Sequence, residues 1–507
     1  MRYKKIRMPA IAAVVILIIM CLVVFVYGSA QVSAASKAKK SLSSDRVSLK
    51  SGRTCVLRVK NADKKVKWTT SDKSIVRITK KSGKYDQKVR LRAGDKEGTC
   101  LVKAKLGKLN LKCRVTVRKN SEDDPIPTPG EGFSERITDF SVKLLQKTVQ
   151  YDKANGRSSN MLVSPDSVIT ALGMLENGAD GETLAQLEGL TGGLGVDALG
   201  SDLRAFHKRL SGYKKPLYTS ANSIWSNKDY VTAGGEFREK CRQYYDAEIF
   251  ERTFDEAAKN EMNSWVKDNT RGMIKDIIDR LDPDDRIILI NALAFEGKWA
   301  EQFENSQVTK EDFTEESGKT DKKVNMLNET LCGRGTYIEL NGGKGLVKDY
   351  ENGTTAFVAI LPPEGTKLDD FISGLTGPAF SKAWNSRQDK PVRIKIPEFK
   401  YDYDASLKNV LGMMGVSRAF TDFAEFAKMT GTPMSLVKVD DVLHKTHIEL
   451  DRNGTKAAAA TAVVAKAGSA PFDQDIREVY LNRPFVYALV DKSTGIPFFI
   501  GALRTAK

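Results

Sequence analysis

Residues 452–471 read Arg-Asn-Gly-Thr-Lys-Ala-Ala-Ala-Ala-Thr-Ala-Val-Val-Ala-Lys-Ala-Gly-Ser-Ala-Pro, and no other part of the chain says as much about its structure. Composition alone allows a helix or an exposed low-complexity loop, because alanine favours helix. With a period of two, however, every second residue from Thr455 to Ala467 is small and uncharged, whereas Lys456 and Lys466 fall on the other face. Such a segment can be a mobile loop and later a buried central strand, since small residues fit between two existing strands without overpacking and the charges stay outward.

The whole chain has 507 residues, of which 41% are apolar and 28% are charged. This ordinary globular composition excludes a mainly disordered, collagenous or polytopic membrane protein. Six cysteines are too few for a scaffold built on disulfides. The net charge of +16 suggests a polyanionic partner, but the charge is unevenly distributed along the chain.

The first 35 residues contain four basic residues and no acid, followed by an apolar run over residues 11–27. Val32 and Ala34 supply the small residues that a signal peptidase requires, which places a cleavage site after Ala34. Residues 1–34 are therefore predicted to be a signal peptide or a retained N-terminal membrane anchor. In both cases we expect the rest of the chain to be extracellular or on the cell surface.

Residues 36–119 form a basic module with 27 Lys and Arg against six acids, a net charge of +21. Short alternating runs separated by turn residues every 8–12 positions predict a small all-β sandwich. The segments 68–76, 98–100 and 115–117 resemble bacterial immunoglobulin-like repeats, which implies a spacer or adhesion module. An alternative is retention on an anionic cell-envelope polymer or on lipid headgroups. We expect no nucleic acid partner, because the module is predicted to be exported and lacks an aromatic-basic stacking pattern.

Two cysteines of this module flank a predicted hairpin, residues 100–113. If Leu106-Gly107 is the two-residue turn, Cys100 and Cys113 lie directly opposite each other, where a cross-strand disulfide is feasible. Two buried thiols are the alternative, and the sequence leaves both open. A Pro- and acid-rich linker, residues 120–132, follows the module and is expected to be extended.

Residues 120–507 carry a net charge of −9, and no second linker interrupts the body, residues 133–507. Helical periodicity comes first and strand-like runs follow, which predicts an α+β fold. The chain has three histidines, His207, His444 and His447, and lacks the common hydrolase, metalloprotease and phosphate-binding motifs. His444 and His447 lie in a strand-like stretch, where residues three apart face opposite ways. We therefore expect no metal, no cofactor and no catalytic residue: the protein is not predicted to be an enzyme.

The body resembles a serpin, a suicide inhibitor of peptidases, over essentially all of residues 133–507. The residues that carry this resemblance are the segments 160–167, 171–175, 291–299, 396–400, 454–461 and 481–485. The resemblance implies a serpin fold, with a central mixed sheet, surrounding helices and an exposed reactive loop.

The resemblance also assigns roles to individual residues. It implies a shutter, a hydrogen-bond cluster that controls the opening of the central sheet, and a breach tryptophan at the point where the loop enters the sheet. It further implies a hinge at the start of the loop. The shutter residues are Ser164, Ser167, Asn291 and His444, the breach residue is Trp299, and the hinge residues are Gly454, Thr455, Ala457, Ala458, Ala459 and Ala460. One departure is Arg452, where the family usually carries an acid.

The implied activity is the trapping of a serine, or cysteine, endopeptidase as an acyl-enzyme by insertion of the cleaved loop. The usual distance from Gly454 places the reactive bond at Gly468-Ser469, which suits elastase-like or subtilisin-like targets. The alternative bond, between Lys466 and Ala467, suits trypsin-like targets. The alternative function is a non-inhibitory binding or adhesion protein of the cell surface with the same fold.

Overall fold

A computed structural model describes residues 40–43, 46–50, 54–94, 96–118, 129–211, 218–329, 334–430, 437–455 and 476–506. The chain divides into two compact units, residues 1–124 and 125–507, and the boundary falls within the predicted linker. The predicted signal peptide or anchor, residues 1–34, lies outside the described residues.

The described part of the first unit consists of β-strands. They are β1 (Ser41–Leu42), β2 (Arg46–Lys50), β3 (Thr54–Lys60), β4 (Lys67–Thr70), β5 (Val76–Ser82), β6 (Lys88–Ala93), β7 (Gly98–Leu106) and β8 (Leu109–Arg118). They form two four-stranded sheets, in the orders β1-β3-β6-β5 and β2-β8-β7-β4. Alternate residues of both sheets are buried in one apolar core that includes Trp68. Its assignment as a bacterial immunoglobulin-like domain stays a prediction.

The hairpin of β7 and β8 turns one residue later than expected. The turn is Gly107-Lys108, with Gly107 at a φ of +57°, rather than Leu106-Gly107. Cys100 therefore lies opposite Val115 and not opposite Cys113. The two cysteines are diagonal neighbours, a relationship that separates Cα atoms by about 7–8 Å, more than a disulfide usually spans. The register argument for a disulfide is thus wrong, and Cys100 is a free, buried thiol whose pKa is raised by burial.

The described part of the second unit contains ten α-helices, six of which precede residue 270. They are α1 (Phe133–Ala154), α2 (Pro165–Glu176), α3 (Gly181–Thr191), α4 (Val196–Ser211), α5 (Gly235–Tyr245), α6 (Glu256–Asn269), α7 (Leu368–Ser373), α8 (Gly377–Asn385), α9 (Lys408–Met413) and α10 (Ala427–Thr430). In α1 the apolar residues Phe133, Ile137, Phe140 and Leu144 recur at helical spacing and are all buried. The helix α2 is buried along its whole length, so it forms part of the core.

The described part of the second unit contains seventeen β-strands, fourteen of which follow α6. They are β9 (Met161–Val163), β10 (Tyr218–Asn227), β11 (Glu248–Arg252), β12 (Ile287–Phe295), β13 (Gly297–Lys298), β14 (Val308–Thr314), β15 (Thr320–Glu329), β16 (Arg334–Leu340), β17 (Gly343–Asp349), β18 (Thr355–Leu361), β19 (Gln388–Pro397), β20 (Phe399–Ser406), β21 (Asp441–Asp451), β22 (Gly454–Thr455), β23 (Arg477–Tyr480), β24 (Phe485–Asp491) and β25 (Pro497–Leu503). The order of helices and strands gives the α+β organisation that the sequence predicts.

The strands form two sheets. The central sheet has the order β11-β10-β12-β21, with β20 paired to the other edge of β21 and with β22 and β13 continuing at one end. In this sheet β10 and β12 are antiparallel, whereas β12 and β21 are parallel. The second sheet has the order β14-β15-β19-β16-β17-β18-β24-β25-β9, with β23 paired to β19. The helix α2 contacts both β12 and β25, so it lies between the two sheets.

Candidate functional site

Four predicted site residues lie together where α2 meets the central sheet. Ser164 and Ser167 are at the N-terminal end of α2, and Asn291 and His444 are paired neighbours on β12 and β21. All four side chains are buried. The structure therefore brings the four residues into one cluster, whereas their role in controlling sheet opening stays a prediction.

Hydrogen bonds join this cluster from helix to sheet. The backbone N–H of Ser164 donates to His444 Nε2 at 3.1 Å. Ser164 Oγ caps the helix by accepting from the Ser167 N–H at 3.1 Å, and it donates to Phe498 O at 2.9 Å. The Ser167 hydroxyl donates to Asn291 Oδ1, and Asn291 Nδ2 donates to Ser167 O at 2.8 Å. The helix α2 is thus bonded to both β12 and β21.

His444 takes part in the cluster as a neutral ring. Burial lowers its pKa to about 4, because desolvation penalises the charged imidazolium. Since Nε2 accepts the hydrogen bond from Ser164, the ring proton is placed on Nδ1. Protonation of Nε2 would replace an acceptor with a donor that faces the Ser164 N–H, so the hydrogen bond requires the neutral form.

Asn222 on β10 is a further member of the cluster that sequence reasoning missed. It pairs directly with Asn291 across the antiparallel strands, and Asn291 Nδ2 donates to its Oδ1. Asn222 Nδ2 in turn donates to Tyr245 O at 2.9 Å. No spacing in the sequence relates Asn222 to Asn291, because their contact depends on the register of β10 against β12.

The strands β12 and β21 are joined over only part of their length. Their parallel pairing covers Ile288–Ala292 against Asp441–Lys445. The remaining parts, Leu293–Phe295 and Thr446–Asp451, are not paired with each other among the described residues. On its other edge β21 remains paired with β20. We call the unpaired stretch the seam; it begins beside the cluster and runs to the end of β21.

Trp299 closes the far end of the seam. Its side chain is 1% exposed and stacks on Tyr350, with ring centroids 4.7 Å apart and ring planes 12° apart. The indole Nε1–H donates to Asp451 O at 2.9 Å, and the backbone N–H donates to Asn453 O at 3.0 Å. The predicted breach residue therefore connects the segment after β12 to the end of β21.

Two predicted hinge residues, Gly454 and Thr455, form β22 at this end of the seam. β22 pairs antiparallel with β13 and with the end of β21. The Thr455 side chain is buried, with its Oγ1 2.6 Å from the hydroxyl of Tyr350. Gly454 has a φ of +148°, and a Cβ atom there would lie 2.0 Å from Gly297 O. Only glycine fits this position without a shift of the backbone.

The turn before the hinge is held by two carboxylates. Asp451 Oδ1 accepts from the N–H groups of Asn453 at 2.7 Å and Gly454 at 3.1 Å. Glu398, between β19 and β20, accepts from the Arg452 N–H at 3.2 Å and from Asn325 Nδ2 at 2.6 Å. Although Arg452 replaces the acid expected at its own position, Glu398 supplies a carboxylate to its backbone.

The rest of the predicted loop lies outside the described residues. This applies to the hinge residues Ala457, Ala458, Ala459 and Ala460 and to both candidate reactive bonds, Lys466-Ala467 and Gly468-Ser469. The described chain resumes at residue 476 and enters β23, which pairs with β19 in the second sheet. Residues 456–475 therefore connect the central sheet to the second sheet.

His444 and His447 differ in burial, as the strand pattern predicts. His444 is buried beside α2, whereas His447 is only partly buried, and its Nδ1 lies 2.6 Å from Asp402 Oδ1 on the neighbouring strand β20. Within the described residues no group of His, Cys, Asp and Glu side chains is arranged to hold a metal ion. In the same residues no helix combines the length and hydropathy that a membrane span requires.

A helix bonded to the middle of a partly open sheet, with a hinge at the open end, defines the serpin class of fold. Residues 135–505 match the family model described as "Serpin (serine protease inhibitor)", so the chain belongs to the serpin family. The match begins in α1, and the all-β unit lies outside it.

Several relatives and solved structures agree with this assignment. Alpha-1-antiproteinase of Rattus norvegicus is 29% identical over 388 residues, which are 75% of this chain and 90% of the relative. Alpha-1-antiproteinase S of Cavia porcellus is 30% identical over 381 residues, 74% of this chain and 90% of the relative. The native structure of the thermophilic serpin tengpin is 35% identical, covers 75% of this chain and 95% of its own, and has a TM-score of 0.69. The latent structure of tengpin, at 33% identity and similar coverage, has a TM-score of 0.63.

Proposed function

We propose that this serpin is a suicide inhibitor of serine endopeptidases, which traps the acyl-enzyme by inserting its cleaved loop into the central sheet. Serpins are usually serine protease inhibitors and not enzymes. The observation that supports inhibition here is the position of β22. Gly454 and Thr455 lie at the open end of the seam, so the chain after Thr455 starts where a new strand would enter between β12 and β21.

The proposed mechanism depends on the relative rates of two steps, insertion of the loop and hydrolysis of the ester. The peptidase serine attacks a peptide carbonyl in the loop, forms an ester with it and releases the new N-terminus of the following segment. The loop then enters the seam as a strand before water hydrolyses the ester. Insertion must separate the paired part of β12 and β21 and remake the hydrogen bonds around Asn291 and His444. Strain released by this rearrangement drives the reaction forward.

The composition of the loop suits this mechanism. The residues that would face the interior after insertion are Thr455, Ala457, Ala459, Thr461, Val463, Ala465 and Ala467, all small and uncharged. The fourteen residues from Thr455 to Gly468 span about 46 Å as a strand, at roughly 3.3 Å per residue. That length carries an attached peptidase far from its point of attack. We place the reactive bond at Gly468-Ser469, with Lys466-Ala467 as the alternative.

A panel of purified peptidases tests the proposal. Elastase, subtilisin, trypsin and papain are each incubated with the full chain, and the products are separated on a denaturing gel. A band at the summed mass supports inhibition, and mass spectrometry of the released C-terminal peptide identifies the bond. The variant Lys466→Gln is a matched probe: it abolishes the complex with trypsin if Lys466 supplies the bond and leaves the elastase complex unchanged if Gly468 does. Simple cleavage of the loop by every peptidase, with no complex, favours the non-inhibitory binding or adhesion function.

We also propose that the protein is exported and held at the cell surface. The basic N-terminus, the apolar run over residues 11–27 and the small residues before Ala35 support this proposal. The first unit would then act as an immunoglobulin-like spacer that keeps the inhibitor at an anionic component of the envelope. N-terminal sequencing of the protein from its own cells tests the cleavage: a mature chain that begins at Ala35 supports a signal peptide, and an intact Met1 in the membrane fraction supports an anchor.

A further inference from the structure

The strands of the first unit have an unusual charge distribution. The sequences of β1 to β8 contain no aspartate or glutamate, whereas every strand except β1 contains lysine or arginine. Three acids of this unit, Asp63, Asp72 and Asp86, lie between strands and form ion pairs with lysines outside the strands. Both outer faces of the sandwich are therefore cationic among the described residues.

On the face of β4, β7 and β8, lysines lie directly opposite each other. Lys67 pairs with Lys105, and Lys103 pairs with Lys112. All four side chains are exposed, and Arg114 extends the patch along β8. Side chains that are directly opposite on neighbouring strands have Cβ atoms about 5 Å apart, and like charges there destabilise a sheet.

The face of β5 and β6 repeats this arrangement on the other side of the sandwich. Arg77 pairs directly with Arg92, and both side chains are exposed. Lys80 and Arg58 are exposed on the same sheet. The two sheets enclose one apolar core, so the two cationic faces point in opposite directions.

We propose that the first unit binds a linear, phosphate-rich polyanion through both outer faces, so that one unit bridges two polymer chains. This inference deepens the proposal that the unit holds the protein at an anionic envelope component, and it does not depend on peptidase inhibition. Phosphates placed between Lys103 and Lys112, or between Arg77 and Arg92, convert repulsion between like charges into attraction.

Two observations favour a polymer over other anionic partners. A planar bilayer contacts only one face of a sandwich, which would leave the opposite cationic face unused. Proteins that bind single-stranded nucleic acid stack bases on aromatic side chains, yet the only aromatic residue in the eight strands, Trp68, is 3% exposed. A flexible polyanion that is recognised by charge alone can follow either face.

The experiment uses the full chain with long-chain polyphosphate as the probe. The variants are Lys103→Gln with Lys112→Gln on one face, Arg77→Gln with Arg92→Gln on the other, and Lys310→Gln with Lys322→Gln in the second unit as a matched control. We expect each face variant to weaken binding by roughly tenfold at low salt and to reduce the slope of log K against log salt by about 1. A variant that contacts fewer phosphates releases fewer counterions when it binds. The control variant should bind like the wild type.

Light scattering tests the two-sided arrangement directly. The wild type should cross-link long-chain polyphosphate into particles that scatter light, whereas each face variant should bind the polymer without forming such particles. Binding unaffected by either pair of substitutions overturns the proposal, as does binding that one face alone accounts for. Phosphatidylglycerol vesicles and oligo-dT are included, and tighter binding per phosphate to either of them also overturns it. Peptidase inhibition, measured on the same samples, reports separately on the proposed function.

Discussion

The Thr455 hydroxyl lies 2.6 Å from the hydroxyl of Tyr350, which itself stacks on Trp299. Thr455, the first residue of the segment that we propose inserts, is therefore already buried in the uncleaved chain. Loop insertion would extend an existing two-residue strand, β22, and would not need to start a new one. The same contact means that a change at Thr455 affects both the uncleaved protein and the inserted form.

Thr455→Arg should convert the inhibitor into a substrate. The long cationic side chain would occupy a buried site beside Tyr350, and it would remain on the buried face after insertion. Slower insertion lets water hydrolyse the acyl-enzyme first, so the fraction of peptidase recovered as an SDS-resistant complex should fall at least tenfold. Thr455→Val is the control: it keeps the size, loses only the hydrogen bond and should retain most of the complex. A full yield of complex from Thr455→Arg contradicts the assigned direction of this side chain.

Gly454→Ala should destabilise the uncleaved protein more than an alanine at another positive φ. The new Cβ would lie 2.0 Å from Gly297 O, and the φ of +148° is unfavourable for alanine. We expect a loss of about 3 kcal/mol in the free energy of unfolding. Gly415→Ala separates the two causes, because Gly415 has a φ of +105° but open space around its Cβ; its loss should be about 1 kcal/mol. Equal losses in urea denaturation would contradict the role of the close contact with Gly297.

Glu398→Gln should loosen the turn that precedes the hinge. The Glu398 carboxylate offers two acceptor atoms, one to the Arg452 N–H and one to Asn325 Nδ2. Glutamine offers one acceptor and one NH₂ group, so one of these donors would face another donor. The expected loss is about 1–3 kcal/mol in the free energy of unfolding. Glu339→Gln, at an exposed site on β16, is the control and should change the free energy little; a similar loss in both variants rules out a specific role for Glu398.

The sequence allows a site residue to be predicted where its neighbours in the chain identify it. The segments around Ser164 and Asn291 could be assigned in this way, and the structure brings both residues into one cluster. Such prediction fails where the answer depends on register. Asn222 joins the cluster only through the pairing of β10 with β12, and the Cys100 hairpin turns one residue later than its glycine suggested. Such a shift of the turn leaves the alternation of buried and exposed residues along each strand unchanged. It changes which residues lie opposite each other on the two strands.

The buried His444 should make stability depend on pH. Its pKa in the folded protein is about 4, below the usual value of about 6.5 in an unfolded chain, so the unfolded state binds more protons between these values. The contribution of His444 is therefore fully present above pH 6.5 and is lost as the pH falls toward 4, by about 3 kcal/mol in total. Glu176, whose pKa is raised to about 7 by burial, acts in the opposite direction over an overlapping range, so the wild-type profile alone cannot isolate His444. His444→Gln keeps an acceptor for the Ser164 N–H and does not titrate. The free energy of unfolding of the wild type minus that of the variant, measured by denaturation from pH 4 to pH 8, should stay constant above pH 6.5 and decrease steadily below it. Parallel profiles would show that His444 is not the titrating group.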